Sequence, residues 1–492
     1  MQFELITETP ESLGIPSGAV EAFLDELTDK KLCMHSFLLL RHGKIAAEGY
    51  WPPFNQNRKQ RIYSISKSFT AIAVGMMINE GKLSLDSKVS DYFPEYLPLN
   101  PHPYVLETRV RDLLMMATCN DNYPYTADTY NSLEIFFNGP GAKHKPGNVF
   151  QYDTVGTTVL CAIMEKLSGK PLLEYMRPVL DEIGFSRDVY CIKIKEGYSW
   201  TGSGIVCTSR DLARFALLCM NNGEWNGKQL LDSDYIRAAT SRQIDNSVNN
   251  FGLEYSYGYG YQIWALRRCG FFMYGMGSQY ALCNQENGTI LITTADTQGV
   301  EGAGELIFDM YFRLIKKFSV TALEEDEGAQ KRLKDRIGKL SIPLPCGKTK
   351  TPLAHKLSGR KYILDKNEAG MKWMCLIIEG DKSRFQYANE SGEHELVFGM
   401  GKYEQQEFPE KYFGERISIR DTHYSCIGAG AWTDDNAFLG TIYAIGDYLG
   451  SIRFQLTFAE DEVCGCMAKA AEWFFDEYQG FLTGHALKDM SR

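Results

Sequence analysis

No stretch of this chain approaches 18 consecutive apolar residues, which excludes a helical membrane span of ordinary length. The opening Met1-Gln2-Phe3-Glu4-Leu5-Ile6-Thr7-Glu8 has neither the basic segment nor the apolar core of a secretory signal, so a cytoplasmic protein without a membrane is expected. Runs of lysine and arginine are missing too. With 52 basic and 62 acidic residues the formal net charge is -10, and no basic face is available to a nucleic acid. The pattern G-x-S-x-G does not occur, which argues against a nucleophile set on a strand-turn-helix elbow. The 13 cysteines are scattered and odd in number, as befits reduced thiols rather than a disulfide framework. Cys464-Gly465-Cys466 is the one close pair. No second Cys/His pair at zinc spacing accompanies it, so two strand thiols and no metal are expected.

What is present is an ordinary globular composition, 44% hydrophobic and 23% charged. At 492 residues the chain exceeds what one core usually serves. Two domains are expected: residues 1–322 with mixed helices and strands, then a charged, proline-bearing linker over 323–352, then a strand-rich domain over 353–492.

One stretch stands out chemically. Ser64-x-x-Lys67 opens Tyr63-Ser64-Ile65-Ser66-Lys67-Ser68-Phe69-Thr70-Ala71-Ile72-Ala73-Val74-Gly75-Met76-Met77-Ile78, an almost uncharged segment that reads as a buried helix. Spacing i, i+3 puts the two side chains on one helix face, a turn apart, within hydrogen-bond reach. A serine hydroxyl needs a base to become a nucleophile, and low-dielectric surroundings favour the neutral amine that can act as one. The pattern also arises by chance. Ser358-Gly359-Arg360-Lys361 matches as well, but leads into a strand-like segment instead of an apolar helix.

In chain order, Pro16 to Leu32 has helical apolar spacing, and Ser36 to Tyr50 reads as a hairpin turning at His42-Gly43-Lys44. Arg109 to Met116 reads as a short helix entering the polar loop Ala117-Thr118-Cys119-Asn120-Asp121. Tyr152 sits on a loop just before an apolar helix that stops at Gly169. Thr208 or Ser209 is placed to cap another helix. Tyr255 to Trp264, rich in glycine and aromatics, reads as strands bordering a cleft. Phe271 to Tyr280 and Thr289 to Thr294 read as strands joined across Asn287-Gly288, and Gly304 to Phe318 as a final amphipathic helix. Beyond the linker, Met371 to Ile378, Arg416 to Ile419, Phe438 to Ile445 and Ile452 to Phe458 are strand-like, suggesting an antiparallel β sandwich or barrel.

The order Ser64-x-x-Lys67, Tyr152-x-Thr154, Gly275-Met276-Gly277 resembles the three-element layout of the β-lactamase and penicillin-binding-protein-like serine hydrolases, in the branch of class C β-lactamase relatives, esterases and 6-aminohexanoate dimer hydrolases. The likeness covers about residues 10 to 320. It implies a β-lactamase/transpeptidase-like α/β (α+β) fold, with a mixed sheet beside a helical subdomain and the site between them. It also implies an acyl-enzyme on Ser64, with Lys67 and Tyr152 handling protons and the backbone amides of Ser64 and Met276 forming an oxyanion hole. No cofactor is implied. Thr154 stands where the family has asparagine, and Met273-Tyr274-Gly275 replaces Lys-Thr-Gly, removing the lysine that helps to bind a substrate carboxylate. Tyr274, Gln279, Thr154 and Asn120 are the candidate substrate-binding residues. Arg267 or Arg268 is the alternative source of the missing charge. The expected partner is a small-molecule amide or ester, with weak or no β-lactamase activity. An acyltransferase using the same acyl-enzyme and a noncatalytic ligand-binding protein are the alternatives.

Overall fold

The computed structural model describes residues 5–120, 132–139, 141–249, 251–411, 424–472 and 474–487. The chain divides into two compact units, Met1–Ile342 and Pro343–Arg492.

In the first unit, helix α1 (Ser17–Asp29) buries Val20, Phe23, Leu24 and Leu27 along one stripe. Strands β1 (Met34–Arg41) and β2 (Lys44–Tyr50) form the expected hairpin, with His42 at positive φ in its turn. They join β3 (Trp264–Ala265), β4 (Gly270–Gly275), β5 (Gln279–Asn284) and β6 (Thr289–Ala295) in an antiparallel sheet of order β2-β1-β6-β5-β4-β3. The strands β1, β5 and β6 are buried at every position, because both faces of the sheet are covered. On one face, Phe272 and Tyr280 meet Phe308 at ring distances of 5.0 and 5.2 Å. On the other, Phe271, Met273, Ala281 and Cys283 enter the main core.

That core is largely helical. Helix α2 (Ser66–Asn79) is buried at every residue from Ser66 to Gly75, which its lack of charge permits. Around it lie α3 (Val110–Leu114), α4 (Thr154–Ser168) and α5 (Ser209–Met220). Thr208 caps α5 through the Asp211 amide, and Asp211 answers by accepting from the Thr208 amide. Helix α6 (Ala303–Ile315) carries Phe308.

Three expectations change. The segment read as one strand from Phe271 to Tyr280 is two strands, β4 and β5, broken at Met276–Ser278. The region from Tyr255 to Trp264 is mostly loop, with strand geometry only from Trp264, because Gly258 at φ +118 leaves the extended region. Much of the stretch read as a linker over 323–352 is helical and belongs to the first unit. Helix α7 (Glu327–Ile337) buries Ala329 and Leu333, and Arg336 donates to Asp25 on α1 at 2.6 Å. Two apolar residues in an otherwise charged helix are a weak sequence signal, and its packing partner lies some three hundred residues earlier in the chain.

The second unit is a barrel. Its strands are β7 (Lys361–Leu364), β8 (Trp373–Glu379), β9 (Lys382–Ala388), β10 (Glu393–Met400), β11 (Glu404–Glu407), β12 (Ser425–Asp434), β13 (Ala437–Ile445), β14 (Leu449–Ala459), β15 (Glu462–Ala470) and β16 (Gly480–Ala486). Their order is β10-β9-β8-β7-β16-β15-β14-β13-β12-β11, and β10 also pairs with β12 in parallel at Gly399↔Ala429 and Met400↔Gly430. Nine strands thus close on themselves, which leaves no free edge in that ring. Cys464 and Cys466 are exposed thiols on β15. The expected strand at Arg416 to Ile419 lies outside the described residues, as does Asp121.

Candidate active site

Ser64 sits in the tight turn Tyr63–Ile65 that runs directly into α2. Tyr63 has φ +49, a conformation that costs an aromatic residue of order 1 to 3 kcal/mol and clusters at functional sites. Its surroundings hold it there. The Arg61 guanidinium lies 4.2 Å from the Tyr63 ring centre and donates to the Ser203 carbonyl and hydroxyl, each at 2.7 Å. Ladder pairing of Gln60–Arg61 with Val206 and Cys207, and the Ile62 amide on the Ile205 carbonyl at 2.9 Å, bring residues 202–205 alongside the turn.

Lys67, 1% exposed, places Nζ 2.9 Å from Ser64 Oγ and also on the Gly202 carbonyl. Glycine is required at 202, since a Cβ there would stand 2.5 Å from Thr154 Cγ2. The second S-x-x-K shows no such pairing: Ser358 Oγ accepts from the Ile378 amide, and Lys361 Nζ lies 3.6 Å from the Trp373 ring centre.

The third element arrives on α4. Asp153 caps this helix, accepting from the Gly156 amide at 3.0 Å, and its burial pushes the carboxyl above the ordinary range. The cap fixes the preceding residue, Tyr152, whose ring centre lies 4.9 Å from Lys67 Nζ. Trp264 stacks on Tyr152 at 5.6 Å and 22°, and Phe251 meets it at 5.3 Å. Gln262 ties the surrounding elements together. Its side chain donates to the Leu113 carbonyl at 2.6 Å and accepts from Thr157 at 2.7 Å, while its carbonyl accepts from Ser68 at 2.9 Å.

Met276 lies in the turn from β4 to β5, with Gly277 at φ +80 and Ser278 at φ +70. A Cβ on Gly275 would stand 2.3 Å from the Ile62 carbonyl oxygen. Only glycine therefore lets the end of β4 lie against the backbone that leads into Ser64, and this contact brings the Met276 turn beside the serine turn.

The four candidate substrate-binding residues divide. Tyr274 is partly exposed and packs on Tyr255 at 5.1 Å. Thr154, also partly exposed, turns its methyl group to Gly202. Gln279 is fully buried. Its amide donates to the Met276 and Ala295 carbonyls at 2.9 and 2.6 Å and accepts from the Ala295 amide at 3.1 Å, so it braces the turn instead of offering its polar atoms to a ligand. Asn120, 4% exposed, donates to the Phe136 carbonyl at 3.3 Å and accepts from the Cys119 thiol at 3.7 Å. Each reads from sequence as an amide near a motif, but each donates to a backbone carbonyl that only folding brings near. Arg267 and Arg268 lie past Ala265, which pairs with Phe271 at the start of β4, whereas Met276 follows its other end. The position of the missing strand lysine is Met273, inside β4, and Arg267 is engaged away from it, pairing with Glu254 at 3.2 Å and lying 3.9 Å from the Phe312 ring centre. The glycine and aromatic richness of Tyr255 to Trp264 points to a cleft border, but nothing in the sequence singles out Gly202, Gln262 or Phe251, whose links to the serine turn span more than one hundred residues of chain. Among the described residues, no group of three or more His, Cys, Asp or Glu could hold a metal, and no helix is long and apolar enough to cross a membrane.

Comparison with known proteins places this geometry in a family. The 6-aminohexanoate-dimer hydrolase of Paenarthrobacter ureafaciens is 26% identical over 255 residues, 47% of this chain and 63% of that protein; the chain thus spans less than two thirds of that relative's length. A Bacillus anthracis structure described as a candidate 6-aminohexanoate-dimer hydrolase superposes with a TM-score of 0.51 at 21% identity, covering 61% of this chain and 82% of that one. A candidate β-lactamase from Bacteroides dorei gives 0.50 at 15% identity, covering 60% and 98%. These two structures share the fold, and the profile of the Beta-lactamase family matches residues 6–308. With Ser64, Lys67, Tyr152 and the Met276 turn gathered on that fold, the chain belongs to the Beta-lactamase family.

Proposed function

We propose that the protein is a serine hydrolase that cleaves a small amide or ester through an acyl-Ser64 intermediate. The observation that carries this reading is Lys67 Nζ at 2.9 Å from Ser64 Oγ in a buried setting, with the Tyr152 ring against the same amine. The neutral Lys67 amine takes the hydroxyl proton as Ser64 Oγ bonds to the substrate carbonyl carbon. Negative charge moves to the carbonyl oxygen, where the Ser64 and Met276 amides receive it. Collapse of this intermediate breaks the bond to the leaving alcohol or amine, which gains its proton through Tyr152. Water then enters by the reverse proton route and releases the acid. No step calls for a cofactor. The relative named as a 6-aminohexanoate-dimer hydrolase supports a linear amide as one substrate form.

A fluorophosphonate probe followed by peptide mass spectrometry tests the proposal. The expected adduct is on Ser64, absent in Ser64→Ala and formed much more slowly in Lys67→Ala. An adduct elsewhere, or none with any acylating probe, would favour a noncatalytic ligand-binding protein.

A further inference from the structure

Residues 245–249 and 251–258 flank a loop that is closed at its base. Ile244 bridges Tyr259, and the buried Asn246 donates to the Tyr255 carbonyl at 2.8 Å and accepts from the Gly258 amide at 2.7 Å. Most of the large apolar residues on this loop are turned outward: Val248 is 86% exposed, Leu253 64%, Phe251 45% and Tyr257 38%. Phe251 differs from the others in having a partner at the proposed site. Its ring centre lies 5.3 Å from that of Tyr152 and 5.6 Å from that of Trp264, while the Tyr152 ring reaches Lys67 and Lys67 reaches Ser64. Behind them, Trp264 packs edge-on against Tyr255 at 5.2 Å and Tyr259 at 4.9 Å. This side of the proposed nucleophile is therefore an aromatic wall, half-exposed at Phe251 and backed by rings that are themselves packed. On β4 the position of the family lysine is taken by Met273, buried in the core.

From this wall we propose the substrate class, an inference that rests on the hydrolase reading above: the enzyme takes neutral esters or amides with an apolar chain or ring, and Phe251 selects for it. A methylene that leaves water against such a wall gains about 0.8 kcal/mol, or roughly fourfold in efficiency. Acyl length should therefore raise kcat/KM stepwise. A carboxylate on the same part of the substrate would lose hydration against these rings.

The test uses the full chain and p-nitrophenyl acetate, butyrate and hexanoate, with the mono-p-nitrophenyl ester of adipate, which is hexanoate with a carboxylate at its chain end, as the charged comparison. The wild type is expected to prefer hexanoate over acetate by at least tenfold in kcat/KM. Phe251→Ala should cut that ratio by about tenfold, mainly through KM, and Phe251→Leu should restore most of it. The Val248→Ser change, on the exposed part of the same loop, should leave the ratio in place. A flat chain-length profile with a labelled Ser64, or a ratio unchanged in Phe251→Ala, overturns the inference while leaving the hydrolase reading intact. Failure to acylate Ser64 at all removes the hydrolase reading itself.

Discussion

At the scale of single residues, Tyr152 and Asp296 show how burial turns a side chain into a chemical statement. The Tyr152 ring is fixed between Lys67 and Trp264, so Tyr152→Phe keeps every ring contact and removes only the proton carrier. Turnover of an ester or anilide should fall about 10²-fold or more, the scale of a general acid-base group, while melting temperature stays nearly unchanged. Equal turnover would reduce Tyr152 to packing. Asp296, 6% exposed, follows β6 beside the Gly277 turn; one of its carboxylate oxygens has no hydrogen-bond partner among the described residues. Burial raises its pKa from 3.8 to about 6. Because the folded state holds this proton more tightly than the unfolded one, its contribution to stability is fully present below pH 3.8 and is lost as pH rises through 6. Asp296→Asn removes that loss. The variant should match the wild type near pH 3.5 and exceed it by up to about 3 kcal/mol at pH 7 to 8 in denaturant unfolding. A constant difference across this range would show that Asp296 does not carry the pH dependence.

At the scale of elements, the site depends on one contact between two backbones. The end of β4 lies against Ile62 because residue 275 has no side chain. In Gly275→Ala the new methyl meets a carbonyl oxygen that cannot swing aside, so the strand and the serine turn must separate. A loss of about 1 to 3 kcal/mol in stability is expected from such overpacking, and labelling of Ser64 should slow well beyond what that loss explains. A displacement near 1 Å can cost about 10²-fold in rate. Unchanged labelling would place the oxyanion donors elsewhere. The helices were legible because α2 and α4 carry their own signals, an uncharged apolar run in the first and an apolar run stopped at Gly169 in the second. The turn at Met276–Ser278 was not, since its two flanking segments are both strand-like and the break depends on positive φ at Gly277 and Ser278.

At the scale of the whole molecule, the boundary between the units follows Ile342. The first unit includes α7, whose Ile337 side chain lies with that of Leu340 against Gly49 of β2. A chain ending at Phe318 would strip this cover from α1 and β2, whereas one ending at Ile342 keeps it. The longer truncation is therefore expected to fold cooperatively and to label at Ser64, and the shorter one to melt lower. The reverse order would disprove the assignment of α7 to the first unit. Penicillins and cephalosporins should be poor substrates. They carry a carboxylate, the strand position matching the family lysine is Met273, and Arg267 is paired with Glu254 at 3.2 Å. Loss of one charge-assisted contact costs ~1.5 to 3 kcal/mol, roughly one to two decades in efficiency. Nitrocefin hydrolysis at the efficiency of a dedicated β-lactamase would sink this expectation.

The sequence by itself determined the family resemblance, the pairing of Ser64 with Lys67, the placement of Tyr152 at a helix start and the strand-rich character of the second unit. Each of these is written within a few residues, in a spacing, a cap or an alternation. Only the tertiary structure decided that the barrel closes through β10 and β12, that Gln279 spends its amide on backbone groups, and that Phe251 and Trp264 line the side of Tyr152. Those contacts join residues tens to hundreds of positions apart. A hydrogen-bonding or aromatic side chain has no preferred partner until packing supplies one.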